Sequence, residues 1–313
     1  MFSNFVVAVS AVIPIFFLMA VGAFVKFSKL LTDEELSHMN RMVFRVFFFC
    51  LMFHSIYLTD IESTFRPKLM LFGAGTVLVI FILLMIFIPK IENDNKKRGV
   101  MVQAIFRSNF VIMGVPIVAN IFGDENIAVT TMMIAVIIPM YNILAVFALE
   151  TFRGGRVALL PILKGVLTTP MIMGAIAGAA FLNLGIQIPA PILKPIGQIS
   201  AATTPVSLII LGASFKLGSV HNHFSQLVKC VLARLILVPA VVLSVAIMFG
   251  FSGIDFVTLL AIFGTPCAIV SFVMAQQMNG DADLAGNCVV FTSALSCFTI
   301  FCWILLFKTI GIF

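Results

Sequence analysis

Charge is scarce in this chain. Asp, Glu, Lys and Arg make up 10% of its 313 residues, while hydrophobic residues make up 61%. Mean hydropathy is +1.18. A soluble domain needs far more charge to cover its surface, so the expected solvent is lipid. Carboxylates are missing where a proton relay would need them. None falls clearly at mid-membrane; Asp60, Asp124, Glu150 and Asp281 fall at the ends of apolar runs. No Walker loop is present, which excludes an encoded ATP motor. No Ser–His set, paired Asp or HExxH motif occurs, so an enzyme is not expected. The six cysteines (Cys50, Cys230, Cys267, Cys288, Cys297 and Cys302) form no CxxC pair and read as small packing residues. His221 and His223 lie in a loop with no nearby carboxylate or thiolate, so neither a metal site nor a cofactor is expected.

Long apolar runs are abundant. A spanning helix needs roughly 20 apolar residues. Ten segments qualify or nearly so: about 5–27, 39–59, 69–89, 100–122, 127–149, 166–185, 197–216, 227–250, 256–278 and 284–307. The runs do not alternate, which rules out a barrel. The fold expected is an all-α integral membrane protein of about ten helices. The first run has no basic residue before it, with Lys26 and Lys29 behind, so it reads as a retained helix rather than a signal peptide.

The net charge of +6 reflects topology, not nucleic-acid binding. With the N-terminus outside, the inner loops and helix ends hold Lys26, Lys29, Arg41, Lys90, Lys96, Lys97, Arg98, Arg153, Arg156, Lys164, Lys216 and Lys229. The outer ones hold Arg66, Lys68, Lys194 and Lys308. That asymmetry predicts both termini outside, in what reads as a bacterial cytoplasmic membrane.

The chain also repeats itself. At a shift of 157, Ala104-Ile105-Phe106 falls on Ala261-Ile262-Phe263, and Gly123-Asp124 on Gly280-Asp281. At a shift of 156, Pro14 meets Pro170 and Gly22-Ala23 meets Gly178-Ala179. Two five-span halves follow, residues 1–152 and 166–313, joined by a cytoplasmic linker, 153–165. Five is odd, so the second half is inverted, a common plan of secondary transporters.

The fourth span of each half departs from a plain apolar helix. One carries Arg107, Ser108, Asn109, Gly114 and Pro116; the other carries Gly264, Thr265, Pro266, Ser271, Gln276 and Gln277. Proline and glycine weaken helices, so both spans are expected to break. Breaks create half-helix ends near the midplane, and each N-terminal end favours an anion. Asn109 is the first ligand candidate; capping a half helix is its compatible alternative. Arg107 either meets an anionic substrate or snorkels to the surface. Ser271, Gln276, Gln277 and Asn142, in span five, either contact substrate or bond between helices. His54, near an outer end, is interfacial or pH-sensitive.

The residues just quoted resemble the auxin efflux carrier family, in its bacterial malate or malonate permease-like branch. The resemblance spans essentially the whole chain. It is strongest in Ser108-Asn109 through Gly114-Val115-Pro116 and Ile121-Phe122-Gly123. Thr169-Pro170 through Gly178, Ile188-Pro189, Thr204-Pro205 through Ser214, and Thr265-Pro266 with Asp281 and Ala285 resemble its later spans. It implies a fold related to bile acid symporters. Spans 1, 2, 6 and 7 would form a scaffold that dimerises, and spans 3–5 and 8–10 a mobile elevator unit. Asn109 and breaks at Pro116 and Pro266 would form the substrate region. Arg107, and Phe49 where proline is common, depart from the pattern. The function expected is a secondary carrier of a small organic anion by alternating access. A sodium- or proton-coupled symporter of a larger amphipathic anion and a non-transporting receptor are the alternatives.

Overall fold

The computed structural model describes residues 2–58, 66–123, 128–153, 167–215 and 217–313. The expected ends at Asp60 and Asp124 and nearly all of the linker lie outside them. Helices account for the described chain: α1 (Phe2–Phe27), α2 (Asp33–Met42), α3 (Phe48–Tyr57), α4 (Pro67–Ile91), α5 (Asn95–Phe106), α6 (Phe110–Phe122) and α7 (Ala128–Arg153) come first. The second half holds α8 (Pro170–Asn183), α9 (Ala190–Ser214), α10 (Leu217–Asn222), α11 (Phe224–Leu232), α12 (Val238–Met248), α13 (Gly253–Gly264), α14 (Val270–Gln277) and α15 (Ala282–Ile310). Among the described residues there is no strand, only one isolated bridge.

Among the described residues, six helical stretches are long and apolar enough to cross a membrane: Asp33–Tyr57, Pro67–Ile91, Val129–Arg153, Ala190–Ser214, Phe224–Met248 and Ala282–Ile310. Two of these are joined through π turns, α2 to α3 at Val43–Phe47 and α11 to α12 at Ala233–Leu237. Large apolar side chains such as Phe17, Leu71, Ile82, Leu237 and Phe298 face outward. An apolar surface of that kind is stable only against lipid or another apolar partner. The protein is an integral membrane protein.

Two close helix pairs stand beside the broken helices. Between α1 and α9, a Cβ on Gly22 would lie 2.0 Å from the Ile209 carbonyl oxygen, and one on Gly212 would lie 2.0 Å from that of Met19. Between α3 and α8, a Cβ on Gly174 would lie 2.4 Å from the Phe49 oxygen, and one on Gly178 would lie 2.8 Å from that of Phe53. Lipid offers no hydrophobic drive between helices, so such backbone contact is what holds them. Small residues at these positions are required by geometry.

The two interrupted helices cross one another. α5 ends at Phe106, and Arg107 is extended (φ −91°, ψ 126°). α6 begins after Asn109. On the other chain segment α13 ends at Gly264, and Thr265 is extended (φ −78°, ψ 158°) because a residue before proline is driven out of helical space. α14 resumes at Val270. Ser108 and Cys267 form an antiparallel bridge, and the Asn109 N–H donates to the Pro266 oxygen at 2.8 Å. Pro266 has no N–H with which to reciprocate.

One expectation is corrected. Pro116 does not break the chain: it lies inside α6, and the first interruption is at Arg107–Asn109. The freed segment pairs with the proline break opposite, so backbone partners gained across the crossover, not a local proline, set its place. Gly114 serves contact instead. A Cβ there would fall 2.7 Å from the Ala261 Cβ, where α6 meets α13.

Candidate functional site

Breaking two helices leaves four half-helix ends, and the fold sorts them by charge. The C-terminal ends of α5 and α13 expose carbonyl oxygens with about half a negative charge each. Arg234, fully buried, meets them. Its guanidinium donates to the oxygens of Thr265 (2.8 Å), Ile105 (3.0 Å), Phe106 (3.3 Å) and Ile262 (3.0 Å). One cation thus ties both C-terminal ends together. Arg234 sits in the π turn between α11 and α12, and the extra residue of such a turn re-aims side chains locally. The sequence reading passed over this residue. Its signal was an arginine seven residues into the expected span 227–250, where the cost argument applied to Arg107 holds equally.

The N-terminal ends border a cavity of about 160 Å³. Arg107, Ser108 and Asn109 line it, with Val111 and Ile112 of α6, Ala268 and Val270 near the start of α14, Asn142 of α7, Met52 of α3 and Thr204 of α9. The two ends differ. In α6 the first helical bond is from the Met113 N–H to the Asn109 oxygen, so the amides before it have no partner within the helix. At α14, Ser271 and Phe272 already donate to Ala268 and Ile269 through a tight turn. The α6 end is therefore the stronger anion-seeking end.

Asn109 and Arg107 add donors at the same place. The Asn109 amide nitrogen is buried and has no hydrogen-bond partner among the described residues. A buried donor left unpaired is costly. Arg107 does not snorkel. It is 4% exposed, and its guanidinium donates to Met274 Sδ (2.8 Å) and to Asn142 Oδ1. Asn142 in turn donates to Met52 Sδ at 2.8 Å. Both partners of Arg107 are neutral, and no carboxylate lies among its described contacts. Ser108 Oγ meets the buried Tyr141 hydroxyl at 3.3 Å.

Other sequence candidates sit elsewhere. Thr265 Oγ1 donates back to the Ala261 oxygen at 2.8 Å, and its own oxygen serves Arg234. Pro266 contributes its carbonyl to Asn109. Ser271 is buried and does not line the cavity; its carbonyl accepts from Gln103 Nε2 at 3.1 Å. Gln276 accepts from Asn40 Nδ2 on α2, and Gln277 is half-buried at the end of α14; neither lines the cavity. His54 abuts Gly197 between α3 and α9.

The expectation that His223 has no carboxylate nearby is corrected. Its Nε2 lies 2.9 Å from Asp281 Oδ2, and Nδ1 lies 2.9 Å from the Ser219 oxygen. Asp281 caps α15 through the Leu284 N–H, and that cap position delivers it to the histidine. Linear distance hid the pair. No group of three metal-ligating side chains forms among the described residues.

The family model for membrane transport proteins matches residues 7–304. The chain belongs to this family, that of the auxin efflux carriers. It is 23% identical over 307 residues to an uncharacterized transporter of Methanothermobacter thermautotrophicus, covering 96% of this chain and 98% of the relative. It is 22% identical over 310 residues to an uncharacterized transporter of Methanocaldococcus jannaschii, covering 95% and 98%. A protein of Rhizobium meliloti named "Putative malonate transporter" is 23% identical over 274 residues, covering 85% of each chain. The expected family is thus found, and the crossover is the feature of a membrane transporter that needs a function.

Proposed function

We propose that this transporter carries a small organic anion, a carboxylate or dicarboxylate such as malate or malonate, by alternating access at the crossover. One observation carries the reading: the free α6 N-terminus, the unpartnered Asn109 amide and the Arg107 guanidinium converge on one cavity. All three favour negative charge. The cavity volume, about 160 Å³, is close to that of a protein cavity that admits benzene, which favours a small acid over a large amphipathic anion. The name of the Rhizobium relative points the same way.

The reading includes ten spans in two inverted five-helix halves, with both termini outside. Support comes from contacts that exchange under the repeat. Gly22 packs on Ile209 and Gly178 on Phe53, and a shift of 156 turns each pair into the other. Asn109 and Pro266, joined backbone to backbone, are each other's equivalents at a shift of 157. The glycine-packed helices α1, α3, α8 and α9 would form the static scaffold and a homodimer face, while the crossover unit moves.

Uptake of labelled malate, malonate and an indole carboxylate into proteoliposomes tests the reading, with and without sodium and pH gradients. Saturable uptake of an acid by wild type, weakened in Asn109→Ala, is expected. Acid binding without flux would identify a receptor instead. A cysteine at Lys97 should be protected from an impermeant reagent applied outside; reaction there would overturn the orientation.

A further inference from the structure

The two buried guanidiniums of the crossover differ in how their charge is balanced. Arg234 faces four carbonyl oxygens at the ends of two half helices. Two such ends carry together about one negative charge. Arg107 contacts the Asn142 amide oxygen and the Met274 sulfur, both neutral. Its neighbours on the cavity include the α6 N-terminus, which adds positive potential. Arginine does not shed its proton to relieve this.

We propose that this transporter is an obligatory anion exchanger, because the substrate-free site carries an uncancelled positive charge at Arg107. The inference rests on the crossover being an anion site. Alternating access requires the site to close from one side before it opens to the other. Arg107 is already only 4% exposed in the empty site, and the cavity is its remaining access to water. Closing the site removes that access while no counterion is present, which is unfavourable. A bound carboxylate supplies the counterion, and its bonds to Arg107 are charge-assisted. The loaded carrier therefore turns over freely in both directions, and the unloaded carrier does not return. Net flux is slow, and one anion leaves as another enters. The same logic holds whether the whole unit slides or gates rock about a fixed site, since both routes pass through an occluded state.

The test uses the full chain in proteoliposomes loaded with labelled malonate. Efflux is followed into medium without acid and into medium with unlabelled malonate. Exchange at least tenfold faster than net efflux is expected for wild type. Rates equal within about twofold would overturn the proposal while leaving the anion carrier intact. Arg107→Lys, which keeps the charge, should keep the tenfold ratio. Arg107→Gln should bring the ratio near one; a ratio that stays high in this variant overturns the assignment to Arg107. Should the Gln variant fail to fold, the wild-type ratio and the Lys variant decide. Folded wild type that moves no acid in either mode overturns the anion-carrier reading beneath, and this proposal with it.

Discussion

Arg107 and Arg234 stand at the same crossover, and both are buried where an arginine is costly. Arg234 closes the carbonyl side, where its guanidinium donates to backbone oxygens at the ends of α5 and α13. Arg107 belongs to the amide side, where it borders the cavity and bonds only neutral side-chain atoms. The contrast teaches that a buried charge is assigned a role by what neutralises it. A cation satisfied by the protein holds structure together. A cation left unsatisfied by the protein is available to a ligand.

The largest expected effect is on the satisfied side. Arg234→Met leaves four buried carbonyls without their donor, and about 3–5 kcal/mol of stability should be lost. Thermal unfolding in detergent measures this, and Arg234→Lys should recover part of it. If the Met variant were as stable as wild type, the two arginines would not differ as described. Next comes Arg107→Gln, for which the apparent half-saturation concentration for a transported acid should rise by at least about tenfold, the loss of one charge-assisted bond. Its unfolding midpoint should fall far less than that of Arg234→Met; an equal fall would erase the comparison.

Asn109→Ala is expected to weaken affinity by about tenfold, as for one hydrogen bond, with the fold retained, because its amide nitrogen has no partner to lose. Unchanged affinity in folded protein would place the site elsewhere. Gln276→Ala removes a bond to Asn40 outside the cavity, so affinity should not change; a change would extend the site toward α2.

The smallest effect concerns Glu92, at the C-terminal end of α4. Burial alone would raise its pKa, but the Asp94 N–H, the Gln226 amide, the Asn93 N–H and Lys97 hold it below the ordinary carboxylate value. A depressed carboxylate contributes stability that is present above the unfolded-state value near 4.5 and lost as pH falls through the folded value. Acid titration of thermal stability should show this loss below the ordinary value and not near neutrality. Glu92→Gln should flatten it slightly.

Six of the ten expected spans were legible because lipid imposes a simple length rule, and stretches such as Asp33–Tyr57 and Pro67–Ile91 satisfy it by composition alone. The break at Thr265–Pro266 was legible because proline acts locally on its neighbour. Pro116 misled for the converse reason. A membrane helix can absorb a proline, and the first break instead forms where Ser108 and Asn109 find partners on Cys267 and Pro266. Arg107 and Asn109 were legible as polar residues out of place. Arg234 showed the same signal but went unread. Gln276 was read toward the site because helical spacing does not tell which face meets Asn40.

The sequence by itself determined that this protein lives in lipid, roughly where its helices run, and that two of them carry groups an unbroken apolar helix would not. Those properties follow from composition and from steric effects between adjacent residues. Only the tertiary structure decided which half-helix ends meet, that Arg234 serves the carbonyls while Arg107 borders the cavity, and that His223 finds Asp281. These pairings join atoms far apart in the chain. They are set by the demand that each backbone group freed in the membrane find a partner, and that demand is met across elements, not along them.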